Sequence, residues 1–152
     1  MKFIARLLQT ELVRAAKHFP ALILTGPRRA GKTTLFRRLF PRASYFLIED
    51  PDTIARLRSD PRSFIEDIRP PAILDEIQNV PEILNYVRSQ IDRSPNKMGQ
   101  WFLTGSQEAS LMRGVSDQIP QAILRRFWSR LPPARHRIRE DVKPVSFLGS
   151  AL

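Results

Sequence analysis

Eight residues, Gly26-Pro27-Arg28-Arg29-Ala30-Gly31-Lys32-Thr33, constrain this chain more tightly than any others, because they follow the spacing G-x-x-x-x-G-K-[ST] at every fixed position. Glycine at 26 and 31 admits backbone angles and close approaches that a Cβ would forbid. The N–H groups of such a loop turn inward as a nest for anions, and the helix that follows adds its positive N-terminus. Lys32 is placed to reach the phosphates of a nucleotide and the Thr33 hydroxyl to ligate Mg²⁺, with Thr34 following in the same turn. Arg28 and Arg29 lie within reach of phosphate but read most simply as solvated side chains on the rim of the loop.

A phosphate loop of this kind works only between a strand and a helix, and the flanking residues supply both. Ala21-Leu22-Ile23-Leu24-Thr25 is a short apolar run suited to a buried parallel strand. Lys32 to Phe40 reads as the following helix. Before them, Phe3 to Lys17 sets Ile4, Leu7, Leu8, Leu12 and Ala15 on one stripe at helical spacing, ended by Pro20. Tyr45 to Ile48 reads as a second strand, Ile73-Leu74 as a third, and Trp101 to Thr104 as a fourth. Asp50-Pro51 and Asp60-Pro61 share a helix-start signature, in which Asp caps free N–H groups and Pro occupies the first helical position. Pro81 to Ile91 is helical, with Ile83, Leu84, Val87 and Ile91 on one side. Strands alternating with helices predict an α/β fold with a parallel, doubly wound sheet.

Ala72-Ile73-Leu74-Asp75-Glu76 puts two carboxylates at the C-terminal end of the third strand, the end at which open parallel sheets bind ligands. Asp75 suits a role in holding Mg²⁺, and Glu76 suits orienting and polarising an attacking water. A plain alternative is a loop pair capping the next helix. Following a phosphate loop, the pair favours the chemical role, and a water-polarising Glu favours hydrolysis over a small-molecule kinase. Thr104-Gly105-Ser106-Gln107 closes the fourth strand with polar groups. If that strand lies between the first and third, Ser106 sits beside the γ-phosphate as a sensor; otherwise the segment is an ordinary turn. Asp50 is accounted for as a cap, Glu49 stays open, and His18 and His136 stand without metal-ligand spacing to partners.

Taken together, Phe19 to Thr34, Ile48-Glu49-Asp50-Pro51-Asp52, Asp60 to Phe64, Leu74 to Pro81 and Phe102 to Gln107 resemble, in that order, the prokaryotic AAA-type ATPases that carry a C-terminal domain of unknown function (the DUF4143 group). The resemblance covers residues 1–116, read as a P-loop ATPase core. It implies a three-layer P-loop NTPase (AAA+-like) sheet of order 5-1-4-3-2, with ATP and Mg²⁺ as ligands. It implies Lys32 and Thr33 as Walker A, Asp75 and Glu76 as Walker B, and Ser106 as sensor 1. Adenine in preference to guanine follows from the resemblance alone.

Residues 117–152 depart from that family. Where relatives continue with an Arg that serves as the arginine finger, this chain reads Asp117 to Arg126, and no Arg aligns with the finger. Ala122-Ile123-Leu124 stands as a candidate fifth strand; beyond it Arg, Pro and Trp mix without sustained period. The family's C-terminal domain has no counterpart here, and the expectation is a divergent basic tail from a truncated or frame-shifted gene.

Bulk properties narrow the remaining choices. A hydrophobic fraction of 42% with 26% charged residues is that of a globular chain, and there are no cysteines to form disulfides or thiolate metal sites, which suits the cytoplasm. No apolar run approaches the length of a membrane span. The net charge of +10 is unusual: residues 1–116 carry 18 basic and 12 acidic side chains, and residues 117–152 carry 7 and 3. Three readings follow. The leading one is a slow Mg²⁺-dependent ATPase; the others are a nucleotide-binding remnant or switch that does not hydrolyse, and a basic nucleic-acid-binding module with Trp101 and Trp128 available for stacking. A protein client is equally open, as is the oligomeric state.

Overall fold

In the computed structural model, residues 2–106 and 122–126 are described, with side chains from residue 8 to 106. The elements run α1 (Lys2–Ala16), β1 (Ala21–Thr25), α2 (Lys32–Leu39), β2 (Ser44–Leu47), α3 (Pro51–Ser59), α4 (Pro61–Asp67), β3 (Ala72–Asp75), a 3₁₀ turn (Ile77–Asn79), α5 (Ile83–Arg93), β4 (Trp101–Gly105) and β5 (Ala122–Arg126). The candidate fifth strand therefore forms. The remainder of the expected tail, with Trp128, His136 and residues 117–121 of the stretch in which an arginine finger was sought, lies outside the described residues.

The five strands form one parallel sheet in the order β2-β3-β4-β1-β5. This is the 5-1-4-3-2 order that the resemblance implies. Alternation along the strands sorts their side chains into two apolar layers. Leu22, Leu24, Ile73 and Phe102 face α1 and α2, packing with Leu12, Ala15 and Phe36. Ala21, Ile23, Leu74, Trp101 and Leu103 face the other way, against Leu57 of α3, Phe64 and Ile65 of α4, and Ile83, Leu84, Val87 and Ile91 of α5. The sheet is thus the middle of three layers. Removing this much apolar surface from water is the main force assembling them, at about 25 cal/mol per Å² buried.

Local signals act as the sequence predicts. Asp50 Oδ2 accepts from Thr53 N at 2.9 Å and Asp60 Oδ1 from Ser63 N at 3.0 Å, each with Pro in the first helical turn. The predicted stripe on α5 is buried throughout, and on α1 Leu8, Leu12 and Ala15 pack on the core. One expectation is corrected. Trp101 is only 2% exposed because β4 lies inside the sheet, so its indole belongs to the core and is not available for stacking on bases.

Insertion of β4 between β1 and β3 has a direct consequence for the site. It brings the C-terminal ends of β1, β4, β3 and β2 side by side along one edge of the sheet, with α2 starting above them.

Candidate nucleotide-binding site

The loop from Gly26 to Gly31 leaves β1 and is tied to the sheet where Gly26 N donates to the carbonyl of Gly105 at 3.3 Å. Gly31 has φ +87°, in the left-handed region, and nothing lies within 4 Å of where a Cβ would project. Backbone conformation, and not crowding, is therefore what demands glycine there. Arg29 also sits at φ 57°, which a side chain tolerates only at some cost. Arg28 and Arg29 are exposed, and Arg28 lies 4.0 Å from Glu49 at the end of β2, which gives Glu49 a local partner.

Lys32 opens α2 yet is only 3% exposed. Its Nζ donates to the carbonyl oxygens of Gly26 at 3.1 Å and Pro27 at 2.7 Å, folding back across the loop. Burial holds the ammonium below the usual lysine range; the negative charges of Glu76 and Asp75 oppose that shift, and Arg28 adds to it. A cation held this way gains when an anion arrives within reach.

One residue on, the Thr33 hydroxyl donates to Asp75 Oδ1 at 2.7 Å. Asp75 ends β3 at 4% exposure and accepts two further hydroxyls, Thr104 of β4 on Oδ1 and Tyr45 of β2 on Oδ2 at 2.8 Å. Burial, together with the hydrogen bond to Asp75, pushes the Tyr45 phenol well above its ordinary range, so it stays a neutral donor. Thr104 Oγ1 also accepts from Glu76 N at 3.1 Å, coupling the two acidic residues to β4.

Glu76 leaves the strand in the left-handed region, φ 61° and ψ 47°, a conformation rare for a residue with a side chain. Its carboxylate accepts from Gln78 Nε2, and its carbonyl accepts from Asn79 Nδ2 at 3.1 Å. Gln78 Oε1 in turn accepts from Ser106 N at 3.2 Å. The turn after β3 and the turn after β4 are thereby joined through one amide side chain.

The predicted residues fall into two groups. Lys32, Thr33, Asp75 and Glu76 converge, and Ser106 reaches them through Gln78. Thr34 and Pro27 are exposed on the rim, and Ala30 is half-buried beside Gly31. Three contributors were not singled out from sequence: Tyr45, Thr104 and Gln78. Thr104 had a usable signal, since a hydroxyl at the end of a buried strand set beside Asp75 by the predicted strand order has few other partners. Gln78 and Tyr45 had none, because their contacts depend on turn geometry and strand register.

The donor set suits Mg²⁺. Among the described residues no three His, Cys, Asp or Glu gather around one point. Mg²⁺ does not need such a cage, since it takes one or two protein oxygens and completes its shell with water and phosphate. The Thr33 hydroxyl and the buried Asp75 carboxylate are oxygen donors of that kind.

A three-layer parallel sheet with a glycine-bounded loop and buried lysine after its first strand, and an acidic pair at the end of the strand one removed from it, defines a P-loop nucleotide-binding protein. The sequence model of the AAA domain matches residues 18–128, and the chain belongs to that family. It is similar to uncharacterized proteins of Mycobacterium bovis and Mycobacterium tuberculosis, 33% identical to each over 110 residues, which is 71% of this chain and 24% of theirs. The chain therefore spans about a quarter of the length of these curated relatives. Among solved structures it is similar to C. elegans PCH-2, at 17% identity and TM-score 0.37, covering 82% of this chain and 40% of that one. No helix among the described residues is long and apolar enough to cross a membrane.

Proposed function

We propose that this chain binds ATP with Mg²⁺ and hydrolyses its terminal phosphoanhydride bond. The observation that carries the reading is the Thr33–Asp75 hydrogen bond of 2.7 Å, with Glu76 next in sequence. It puts a hydroxyl, a metal-suited carboxylate and a second carboxylate at one end of the sheet, beside a phosphate loop.

In this reading Lys32 exchanges its loop carbonyls for β- and γ-phosphate oxygens, while the N–H groups of residues 28–34, at the loop and the start of α2, hold the polyphosphate. Thr33 and Asp75 would hold Mg²⁺. The chemistry the ion would supply there is neutralisation of the charge that develops on the phosphate. Glu76 orients a water for in-line attack and takes up its proton. Gln78 steers Glu76, and Ser106 senses the γ-phosphate through the same amide. The Thr104 hydroxyl keeps Asp75 and Glu76 in fixed relation.

The test is MgATP binding and steady-state phosphate release on purified protein, with Lys32→Ala and Glu76→Gln alongside. The reading expects wild type to bind and turn over, Lys32→Ala to lose binding, and Glu76→Gln to bind without turnover. Wild type that binds but releases no phosphate above the Glu76→Gln background is a nucleotide-binding core without hydrolysis. Folded wild type that binds no nucleotide sinks the reading altogether.

A further inference from the structure

We infer that Tyr45 is a positioning residue of the metal site, acting through Asp75. This rests on the proposed reading of Asp75 as the carboxylate that holds Mg²⁺.

The donors described on the Asp75 carboxylate are three hydroxyls from three elements: Thr33 of α2 and Thr104 of β4 on Oδ1, and Tyr45 of β2 on Oδ2 at 2.8 Å. An Asp carboxyl has a broad, nearly two-fold torsion about Cβ–Cγ, so donors on one oxygen alone leave it free to swing. The phenol on Oδ2 removes that freedom. Because all three donors are neutral, they orient the carboxylate without cancelling the charge a divalent cation requires. A lysine or arginine in the place of Tyr45 would orient it equally and compete with the metal.

Placement of the phenol follows from register. Tyr45 pairs with Ile73 and Leu47 with Asp75 in the parallel β2–β3 ladder, so Tyr45 lies one same-face step behind Asp75 and spans it with the length of its ring. The Arg37 guanidinium covers the ring at 5.0 Å from its centroid. Arg37 stands one helical turn beyond Thr33, so α2 both supplies a hydroxyl to Asp75 and steadies the ring that supplies another. Tyr45 is 37% exposed on an edge strand, so core burial does not account for a tyrosine there, whereas its hydroxyl contact does.

The test compares wild type, Tyr45→Phe and Arg37→Ala for affinity toward a non-hydrolysable ATP analogue, once with saturating Mg²⁺ and once in chelator, with melting temperature recorded for each. The ratio of the two affinities is the coupling between metal and nucleotide. Tyr45→Phe should lower that ratio about 10-fold, the usual scale for removing an outer partner of a metal ligand, with affinity in chelator and melting temperature unchanged. Arg37→Ala, which keeps the hydroxyl, should lower it by less. An unchanged ratio in Tyr45→Phe, where wild type shows metal-dependent affinity, overturns the inference and leaves the ATPase reading standing. Equal losses with and without metal, or early melting, make Tyr45 a structural residue and also overturn it. Wild type whose affinity is indifferent to Mg²⁺ removes the metal role of Asp75, and this inference falls with it.

Discussion

The hydroxyl of Thr33 donates to Oδ1 of Asp75 at 2.7 Å, across 42 residues of sequence. A hydroxyl that donates to a carboxylate keeps its lone pairs for a cation, so the bond that ties α2 to β3 is compatible with Thr33 serving the proposed Mg²⁺ site. Thr33→Ala should therefore reduce nucleotide affinity about 10-fold or more with Mg²⁺ present and leave affinity in chelator nearly unchanged. Titrating both conditions checks this, and equal losses in the two would remove Thr33 from the proposed metal site.

Lys32 gives a pH dependence with a definite sign. Burial lowers its folded pKa from 10.5, so the unfolded chain holds the proton more tightly than the folded one. The charged side chain accordingly opposes folding at neutral pH, and the penalty fades as pH rises toward the unfolded value. Nucleotide-free Lys32→Met should melt no lower than wild type near pH 7, and its advantage should shrink by about pH 10. A variant that melts well below wild type at neutral pH contradicts this.

Gln78 links Glu76 to Ser106 without a place of its own in the proposed hydrolysis. Gln78→Ala should lower the turnover number about 10-fold while KM for MgATP stays near the wild-type value, since binding contacts are intact. Steady-state phosphate release separates the two constants; a raised KM with normal turnover would assign Gln78 to binding.

Thr104 is fully buried, donates to Asp75 and accepts from Glu76 N. Thr104→Val keeps the shape, removes both bonds and leaves a backbone N–H unsatisfied. A loss of about 1–3 kcal/mol of stability is expected, from the cost of such orphaned groups. Denaturant unfolding would measure it, and a neutral result would mean water or another group takes over.

The caps at Asp50 and Asp60 predict acid sensitivity. Hydrogen bonds from Thr53 and Ser63, backbone N–H first, hold both carboxyls below the ordinary range. Lowered folded pKa values contribute stability above the unfolded pKa, which is lost as pH falls through the folded one. Replacing both by Ala should lower the melting temperature at neutral pH, and the difference from wild type should vanish by about pH 2. A difference that persists in acid would trace to something other than the carboxylates.

Much of this molecule is set by residues near one another in the chain. Asp-Pro pairs start α3 and α4 because cap and pyrrolidine act within one turn. The stripe Ile83, Leu84, Val87, Ile91 makes α5 a core helix through spacing alone. The phosphate loop is legible for the same reason: a glycine able to take φ +87° and a lysine at the next position are local demands. Asp75 and Glu76 were legible as a pair at a strand end, although their partners were not.

What only the tertiary structure decided is which hydroxyls and amides meet those carboxylates. Tyr45 reads in sequence as one residue of an apolar strand, and its bond to Asp75 arises because β2 pairs with β3 in one particular register. Thr104 meets Asp75 because β4 is inserted between β1 and β3, and Gln78 meets Ser106 because two turns from separate strands end at the same level. Periodicity states which face a residue takes, since side-chain direction is a property of the local backbone. It cannot state what stands opposite, because that is chosen by packing whole elements against one another.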